Sequence, residues 1–107
     1  MKAIYRLNFD CGRQGSLEGI FVAEKAHVDL LISSQIRIYF GEVLGKHSEV
    51  GGPISDGELV MVTDESMAIE LFEKYKFQSG HNPFHYEAMG SELTVQETIE
   101  QLIAQHP

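Results

Sequence analysis

The start of the chain alternates apolar and polar residues at the period of a β-strand. Ala3, Tyr5, Leu7 and Phe9 fall at every second position, as in a half-buried strand. Residues 17–23 form another strand-like run, and the glycines between the two runs can adopt the positive φ of a tight turn. The pattern predicts an antiparallel β-hairpin.

The period of the pattern changes twice after this hairpin. Residues 24–34 carry apolar side chains at helical spacing, which predicts a short helix. Residues 35–43 return to alternation, with Ile36, Ile38 and Phe40 on one side. We therefore expect a third strand there.

The middle of the chain combines loop residues with an apolar run. Residues 44–57 are expected to form a loop throughout, because Gly51, Gly52 and Pro53 interrupt regular structure. Residues 58–63 predict a fourth strand. Its unbroken apolar character is typical of a strand buried on both faces, so we expect it to be central in the sheet.

Two further helices are predicted in the C-terminal part. Asp64 is expected to cap the first of them. The apolar stripe of this helix is Ala68, Leu71, Phe72 and Tyr75. Residues 78–90 should form an ordered loop pinned by aromatic rings. Thr94 and Glu97 have the spacing of a capping box at the start of the last helix, which should end near His106.

These elements predict an α+β fold in one domain that spans residues 1–107. Their order is β-β-α-β-β-α-α, with hairpins and no regular β-α alternation. We expect a four-stranded, mostly antiparallel sheet with the helices packed on one face.

Length and composition agree with one globular domain. The chain has 107 residues, of which 43% are hydrophobic, enough for a core without disulfides or a metal. The N-terminal residues contain no apolar stretch of the kind found in signal peptides or membrane spans, so we expect a cytoplasmic protein without membrane contact. The lone Cys11 agrees with a reducing compartment.

The net charge of −8 is concentrated in the C-terminal two thirds of the chain. Residues 1–40 sum to +1 and residues 41–107 to −9. Direct nucleic-acid binding is disfavoured, because neutralising phosphates requires clustered lysine and arginine. Six glutamates lie opposite the apolar stripes of the last two helices and would share one surface if those helices lie side by side. They are Glu65, Glu70, Glu73, Glu92, Glu97 and Glu100.

The charge pattern favours a non-enzymatic binding protein whose acidic helical face engages a basic surface on a protein partner. In size and charge the chain resembles phage-encoded or mobile-element inhibitors of host nucleic-acid enzymes, including anti-CRISPR proteins. The resemblance implies an inhibitor that binds a basic groove of its target. A homodimer is also possible, because a four-stranded sheet in a small domain leaves edges uncovered.

A different class of function stays open, namely the binding of a small anionic, nucleotide-type ligand. The glycine-rich residues 41–53 would supply backbone donors. The side chains expected to contact the ligand are Arg13, Lys46, His47, Ser48 and Glu49. The segment differs from a phosphate-binding P-loop, because only three residues separate Gly41 from Gly45 and His47 follows Lys46.

Patterns for metal binding or catalysis are weak. His81 and His85 are four residues apart, but Pro83 disfavours the helix that would bring both to one metal. No serine or cysteine lies in a recognisable nucleophile motif, and the spacing of Glu42 and Glu49 does not fix a catalytic carboxylate pair. We therefore expect no cofactor, no metal and no enzymatic activity.

Overall fold

The computed structural model describes residues 1–43 and 49–105, which form an α+β fold. These residues contain three α-helices and two antiparallel sheets. The strands are β1 (Lys2–Asp10), β2 (Ser16–Glu24), β3 (Arg37–Gly41), β4 (Val50–Pro53), β5 (Leu59–Thr63), β6 (Ser79–Gly80) and β7 (Glu87–Ala88). The helices are α1 (Lys25–Ser33), α2 (Ser66–Lys74) and α3 (Val95–Gln105). Short 3₁₀ turns occur at Gly12–Gln14 and Pro83–His85.

The predicted hairpin is confirmed in β1 and β2. The two strands pair without interruption from Lys2↔Glu24 to Asp10↔Ser16. Their connection contains Gly12 at φ 67° and Gly15 at φ 114°, values that favour glycine. The alternation of β1 directs one set of its side chains into the main core, as the sequence indicated.

The strands divide into two sheets rather than one. The four-stranded sheet has the order β5-β1-β2-β6, and a three-stranded sheet has the order β4-β3-β7. β4 lies within the segment that was predicted to be loop throughout. Gly51 allows this strand to form next to β3. A Cβ there would lie only 2.6 Å from the carbonyl oxygen of Ile38, so glycine permits the close pairing of β3 and β4.

The prediction that the apolar run 58–63 is a central, doubly buried strand is wrong. β5 is an edge strand whose partner among the described strands is β1. Leu59 is buried, but Val60, Met61 and Val62 are 40%, 42% and 53% exposed. The apolar run is therefore not covered on both faces of the sheet.

The expectation that all helices pack on one face of the sheet is also wrong. α1 and α3 contribute Val28, Leu31, Val95 and Ile99 to the main core, together with the alternate side chains of β1 and β2 such as Phe21. α2 lies on the opposite face of the four-stranded sheet. Its side chains form a separate small cluster of Ile69 and Phe72 with Ile4, supported by Ile20, Val22 and Ala68. Ile4 interrupts the polar face of β1 and gives α2 an apolar anchor.

Helix α2 differs from its predicted form at both ends. Asp64 does not cap it but accepts a hydrogen bond from Lys25 Nζ at 2.6 Å. Ile69 and Phe72 are its buried residues, whereas Leu71 and Tyr75 are exposed. After Tyr75 the chain takes a left-handed turn at Lys76, whose amide donates to Glu73 while that of Phe77 donates to Phe72.

The predicted capping box of α3 is confirmed. The Glu97 amide donates to Thr94 Oγ1 at 3.1 Å, and the Thr94 amide donates to Glu97 Oε1 at 3.0 Å. The helix is described to Gln105, so the predicted end near His106 lies outside the described residues. None of the described helices is both long enough and apolar enough to cross a membrane.

The segment 78–90 is more regular than the predicted loop. It contains β6, the 3₁₀ turn at Pro83–His85 and β7. Aromatic rings hold it as expected: Phe84 lies 6.3 Å from Phe21, and Tyr86 lies 4.7 Å from Phe40, between ring centroids.

Candidate functional site

The six glutamates predicted to share one surface lie on two separate helical regions. Glu65, Glu70 and Glu73 belong to α2 and the residue before it, on one face of the four-stranded sheet. Glu92, Glu97 and Glu100 belong to α3 and the turn before it, on the other face. All six are exposed. The structure therefore does not bring them together into the single helical face that the sequence suggested.

A different group of carboxylates converges on the three-stranded sheet. A cleft of about 510 Å³ lies beside β3, β4 and β7. Its lining residues are Tyr39, Glu49, Val50, Gly51, Glu87, Ala88, Met89, Gly90 and Ser91. We call it the acidic cleft, because Glu49 and Glu87 are its only charged lining residues among those described.

Strand pairing explains how the acidic cleft forms. Tyr39 of β3 lies opposite Glu87 of β7 on one side and opposite Gly51 of β4 on the other. The Tyr39 hydroxyl donates a hydrogen bond to Glu49 Oε1 at 3.0 Å. A Cβ on Gly51 would lie 2.6 Å from Met89 Cε, so the glycine lets the Met89 side chain lie against β4 in the cleft.

The nearby carboxylates raise the pKa of Tyr39. The hydrogen bond to Glu49 raises the pKa of Tyr39, and partial desolvation raises it further. The charges of Glu49, Glu42 and Glu87 act in the same direction, because ionising a phenol near carboxylates is unfavourable. Three carboxylates therefore act on one hydroxyl, although the sequence separates them by up to forty-five positions, from 42 to 87.

The first turn of α3 lies beside the acidic cleft. Glu87 forms an isolated bridge with Thr94, the residue capped by Glu97. The Val95 amide also donates to the carbonyl of Tyr86 at 2.7 Å. Glu97, one of the predicted partner-binding residues, is thus close in the fold to Glu87, which the sequence analysis did not single out. The β3–β7 pairing that places Glu87 opposite Tyr39 leaves no local signal in the sequence.

The residues predicted for an anionic ligand are only partly described. Lys46, His47 and Ser48 lie outside the described residues. Arg13 is exposed in the turn between β1 and β2, and Glu49 accepts the hydrogen bond from Tyr39. Positions 50–53 of the glycine-rich segment form β4.

A second cleft, of about 570 Å³, runs along β2. β6 pairs with β2 at Gly19 and Ile20, and no strand of residues 1–43 and 49–105 lies beside the last residues of β2 on that side. We call this the edge cleft. Its lining residues are Lys2, Val22, Ala23, Glu24, His27, Phe72, Glu73, Lys76, Gln78, Asn82, Phe84, His85 and Gln96.

The charges of the edge cleft differ from those of the acidic cleft. Both of its carboxylates are paired: Glu24 with the N-terminal amine at 3.0 Å and Glu73 with Lys2 Nζ at 3.8 Å. Lys76 has no carboxylate within ion-pair distance among the described residues. The edge cleft therefore keeps a lysine without an acidic partner among the described residues, although the chain has a net charge of −8.

The two histidines considered as metal ligands are separated in the structure. His81 Nδ1 lies 2.6 Å from the Tyr86 hydroxyl, whereas His85 is exposed and lines the edge cleft. Within residues 1–43 and 49–105, no group of three or more histidine, cysteine, aspartate or glutamate side chains is placed to hold a metal ion. Burial raises the pKa of the Cys11 thiol, which is the less reactive direction for a nucleophile.

Comparison of the chain with protein-family models, with curated proteins and with solved structures gives no match.

Proposed function

We propose that the protein is a non-enzymatic binding module that recognises a basic surface on a protein partner through its acidic cleft. The observation that carries this proposal is the acidic lining of the cleft: Glu49 accepts the hydrogen bond of the Tyr39 hydroxyl, and Glu87 lies opposite Tyr39 across the β3–β7 pair. A lysine or arginine side chain entering the cleft would find carboxylate acceptors and an aromatic ring that favours cations.

The surroundings of the cleft support the same function. Glu92 and Glu97 follow β7 directly along the chain, and they extend the negative charge towards the start of α3. Met89, which lines the cleft, is 42% exposed and offers the flexible apolar contact that recognition surfaces use. An acidic surface of this kind attracts a basic partner from a distance and speeds its association.

The kind of partner follows from the charge. Basic grooves that accept a protein with a net charge of −8 include those that normally receive nucleic acid. We therefore propose that the protein inhibits a nucleic-acid enzyme, as phage or mobile-element proteins of the anti-CRISPR type do. Binding would block the enzyme by competing for its basic groove.

Two variants with the same loss of charge test this proposal. Glu49→Gln combined with Glu87→Gln removes two carboxylates from the acidic cleft, and Glu65→Gln combined with Glu70→Gln removes two from α2. Each immobilised variant is compared with the wild type for capture of basic proteins from a lysate of the source organism. We expect the cleft variant to bind the partner at least about tenfold more weakly, as when one member of a charge pair at an interface is removed. The α2 variant should keep the wild-type affinity.

Equal losses in the two variants would show that net charge alone attracts the partner and would contradict the acidic cleft. Capture that survives both substitutions and is insensitive to salt would contradict an electrostatic interface altogether.

Self-association is a further proposal that the exposed apolar side chains of α2 support. Met67, Leu71 and Tyr75 follow one another at intervals of four residues and are all exposed, as is Phe77 just beyond the helix. Sedimentation of the wild type and of Leu71→Glu tests it, since a dimer through this surface should dissociate in the variant.

The anionic-ligand alternative stays a prediction. It depends on Lys46, His47 and Ser48, and Glu49 has a hydrogen-bond partner in Tyr39.

A further inference from the structure

We propose that the edge cleft binds an extended acidic peptide segment of another protein, which adds to β2 as a further strand. This inference is independent of the acidic cleft, because it rests on other residues and predicts a ligand of opposite charge.

The backbone of β2 presents unused hydrogen-bonding groups in the edge cleft. In a strand, alternate residues direct both their amide and carbonyl groups to the same side. The carbonyl of Glu18 accepts from the His81 amide at 2.9 Å, on the β6 side, so Val22 and Glu24 point their amides to that side too. Beyond Ile20 no described strand pairs there. The Val22 amide and carbonyl and the Glu24 amide are therefore open to an added strand.

The edge cleft is a slot with walls on both faces of the sheet. On one face lie Phe72 and Lys76, at the end of α2. On the other face lie His27 of α1, Phe84 of the 3₁₀ turn and Gln96 of α3. A strand placed between these walls would direct its side chains alternately to each of them, which is the geometry of peptide recognition by strand addition.

The charge of the occupant follows from the groups that have no partner. Glu24 and Glu73 are paired within the protein, as described above. Lys76 and His85 have no described carboxylate partner. Gln96 Nε2 lies 3.3 Å from His27 Nδ1, and the imidazoles of His27 and His85 can each donate a hydrogen bond. The unmatched groups are donors, and the peptide side chains that complement them are carboxylates.

The backbone of Lys76 gives a second reason to assign a role to its side chain. Lys76 has φ 54°, in the left-handed region where glycine is usual at the end of a helix. A lysine there destabilises the fold slightly relative to glycine, and such strain is commonly found at binding sites. This strained residue carries the lysine of the edge cleft that has no carboxylate partner among the described residues.

The test begins with a phage-displayed library of random ten-residue peptides selected against the full chain. The selected sequences are then made synthetically, and their affinities are measured by fluorescence anisotropy. We expect enrichment in aspartate and glutamate. N-methylation of single peptide amides should weaken binding at least tenfold at alternate positions and little at the positions between them, because only alternate amides face β2.

A pair of glycine substitutions separates binding from folding. Lys76→Gly should leave the protein at least as stable as the wild type, since glycine suits a positive φ, yet weaken the selected peptides at least fivefold. Gln35→Gly is the matched control: Gln35 has φ 53° after α1, lies outside the edge cleft, and should not change peptide affinity.

Several results would overturn the proposal. They are the absence of any selected peptide, a consensus rich in lysine and arginine, equal sensitivity to N-methylation at every position, and unchanged affinity in Lys76→Gly. A dimer in sedimentation, with the Val22 and Glu24 amides protected from hydrogen exchange without peptide, would assign the edge to a second copy and would also overturn it.

Discussion

The acidic cleft and the edge cleft are similar in size, but the groups that they offer to a ligand have opposite charge. In the acidic cleft, carboxylates surround a tyrosine hydroxyl and no basic side chain among the described residues lines the cleft. In the edge cleft, both carboxylates have cationic partners, and lysine, histidine and backbone donors remain. The difference shows that the net charge of a chain does not determine the charge of each of its surfaces. It also predicts two ligands of opposite sign.

The largest expected effects come from one glycine near each cleft. A Cβ on Gly19 would lie directly against the carbonyl oxygen of His81 and 2.7 Å from its amide nitrogen, which would break the pairing of β2 with β6. We expect Gly19→Ala to lower the free energy of unfolding by about 3 kcal/mol, because backbone cannot move aside as a side chain can.

Gly51→Ala should destabilise the fold less, by about 1–2 kcal/mol. Its Cβ would meet Met89 Cε and the carbonyl oxygen of Ile38, both at 2.6 Å. The methionine can turn away, which leaves one close backbone contact, whereas all the close contacts of Gly19 are with backbone. Urea unfolding of both variants checks the order. A Gly19→Ala protein as stable as the wild type would contradict the close approach of His81 to β2 at the end of β6.

A smaller effect is expected at the start of α3, which lies between the two clefts. Thr94 pairs with Glu87 near the acidic cleft, and Gln96 lines the edge cleft. Thr94→Ala removes the capping hydroxyl and should cost about 1 kcal/mol of stability.

Thr98→Ala provides the control for this prediction, because the Thr98 hydroxyl only donates to the Thr94 carbonyl within the helix. We expect a change within about 0.5 kcal/mol for that variant. Equal effects of the two substitutions, measured by urea unfolding, would argue against the capping box as the feature that fixes this turn.

The smallest expected effect is on the ionisation of Tyr39. Its pKa is raised in the folded protein, first by the hydrogen bond to Glu49. The neutral phenol thus stabilises the fold fully below the unfolded pKa of about 10, and this contribution is lost as pH rises through the folded value. Glu49→Gln should lower the pKa of Tyr39 towards its unfolded value, so that the loss of stability at high pH is smaller and ends at lower pH.

NMR titration of ¹³C-labelled tyrosine measures this shift, and Tyr86 serves as the internal control. The pKa of Tyr86 is raised by burial rather than by a carboxylate, so it should not change in Glu49→Gln. A Tyr39 pKa that is the same in both proteins would show that Glu49 does not hold the hydroxyl.

Local sequence patterns correctly predicted the elements that are stabilised by residues close to one another in the chain. The alternation of β1, the turn glycines and the Thr94–Glu97 capping box all predicted what the structure contains. Their interactions join residues close in the chain or in one hairpin. The α+β class followed from these elements.

The arrangement of the elements could not be predicted, because it depends on long-range pairing. The same apolar pattern at 58–63 suits a central strand or an edge strand, and β5 is an edge because β1 is its one neighbour among the described strands. α2 was predicted as a helix, but the face on which it packs depends on Ile4, a single residue of β1.

The candidate sites were missed for the same reason. Glu42 and Glu49 were considered as a pair, but Glu87 joins them only through the pairing of β3 with β7. The edge cleft exists because β6 is too short to cover β2. Nothing in the residues of β2 indicates that its pairing with β6 stops at the Ile20–Ser79 pair.

The central claim is that the acidic cleft receives a basic group, and an NMR titration of the ¹⁵N-labelled protein with a hexalysine peptide tests it most directly. We expect the largest amide shifts at Tyr39, Gly51 and residues 87–91, with little change at Glu65 and Glu70, and a uniform loss of these shifts in Glu49→Gln combined with Glu87→Gln. Shifts of similar size on α2, or shifts at the cleft that persist in the double variant, would contradict the claim.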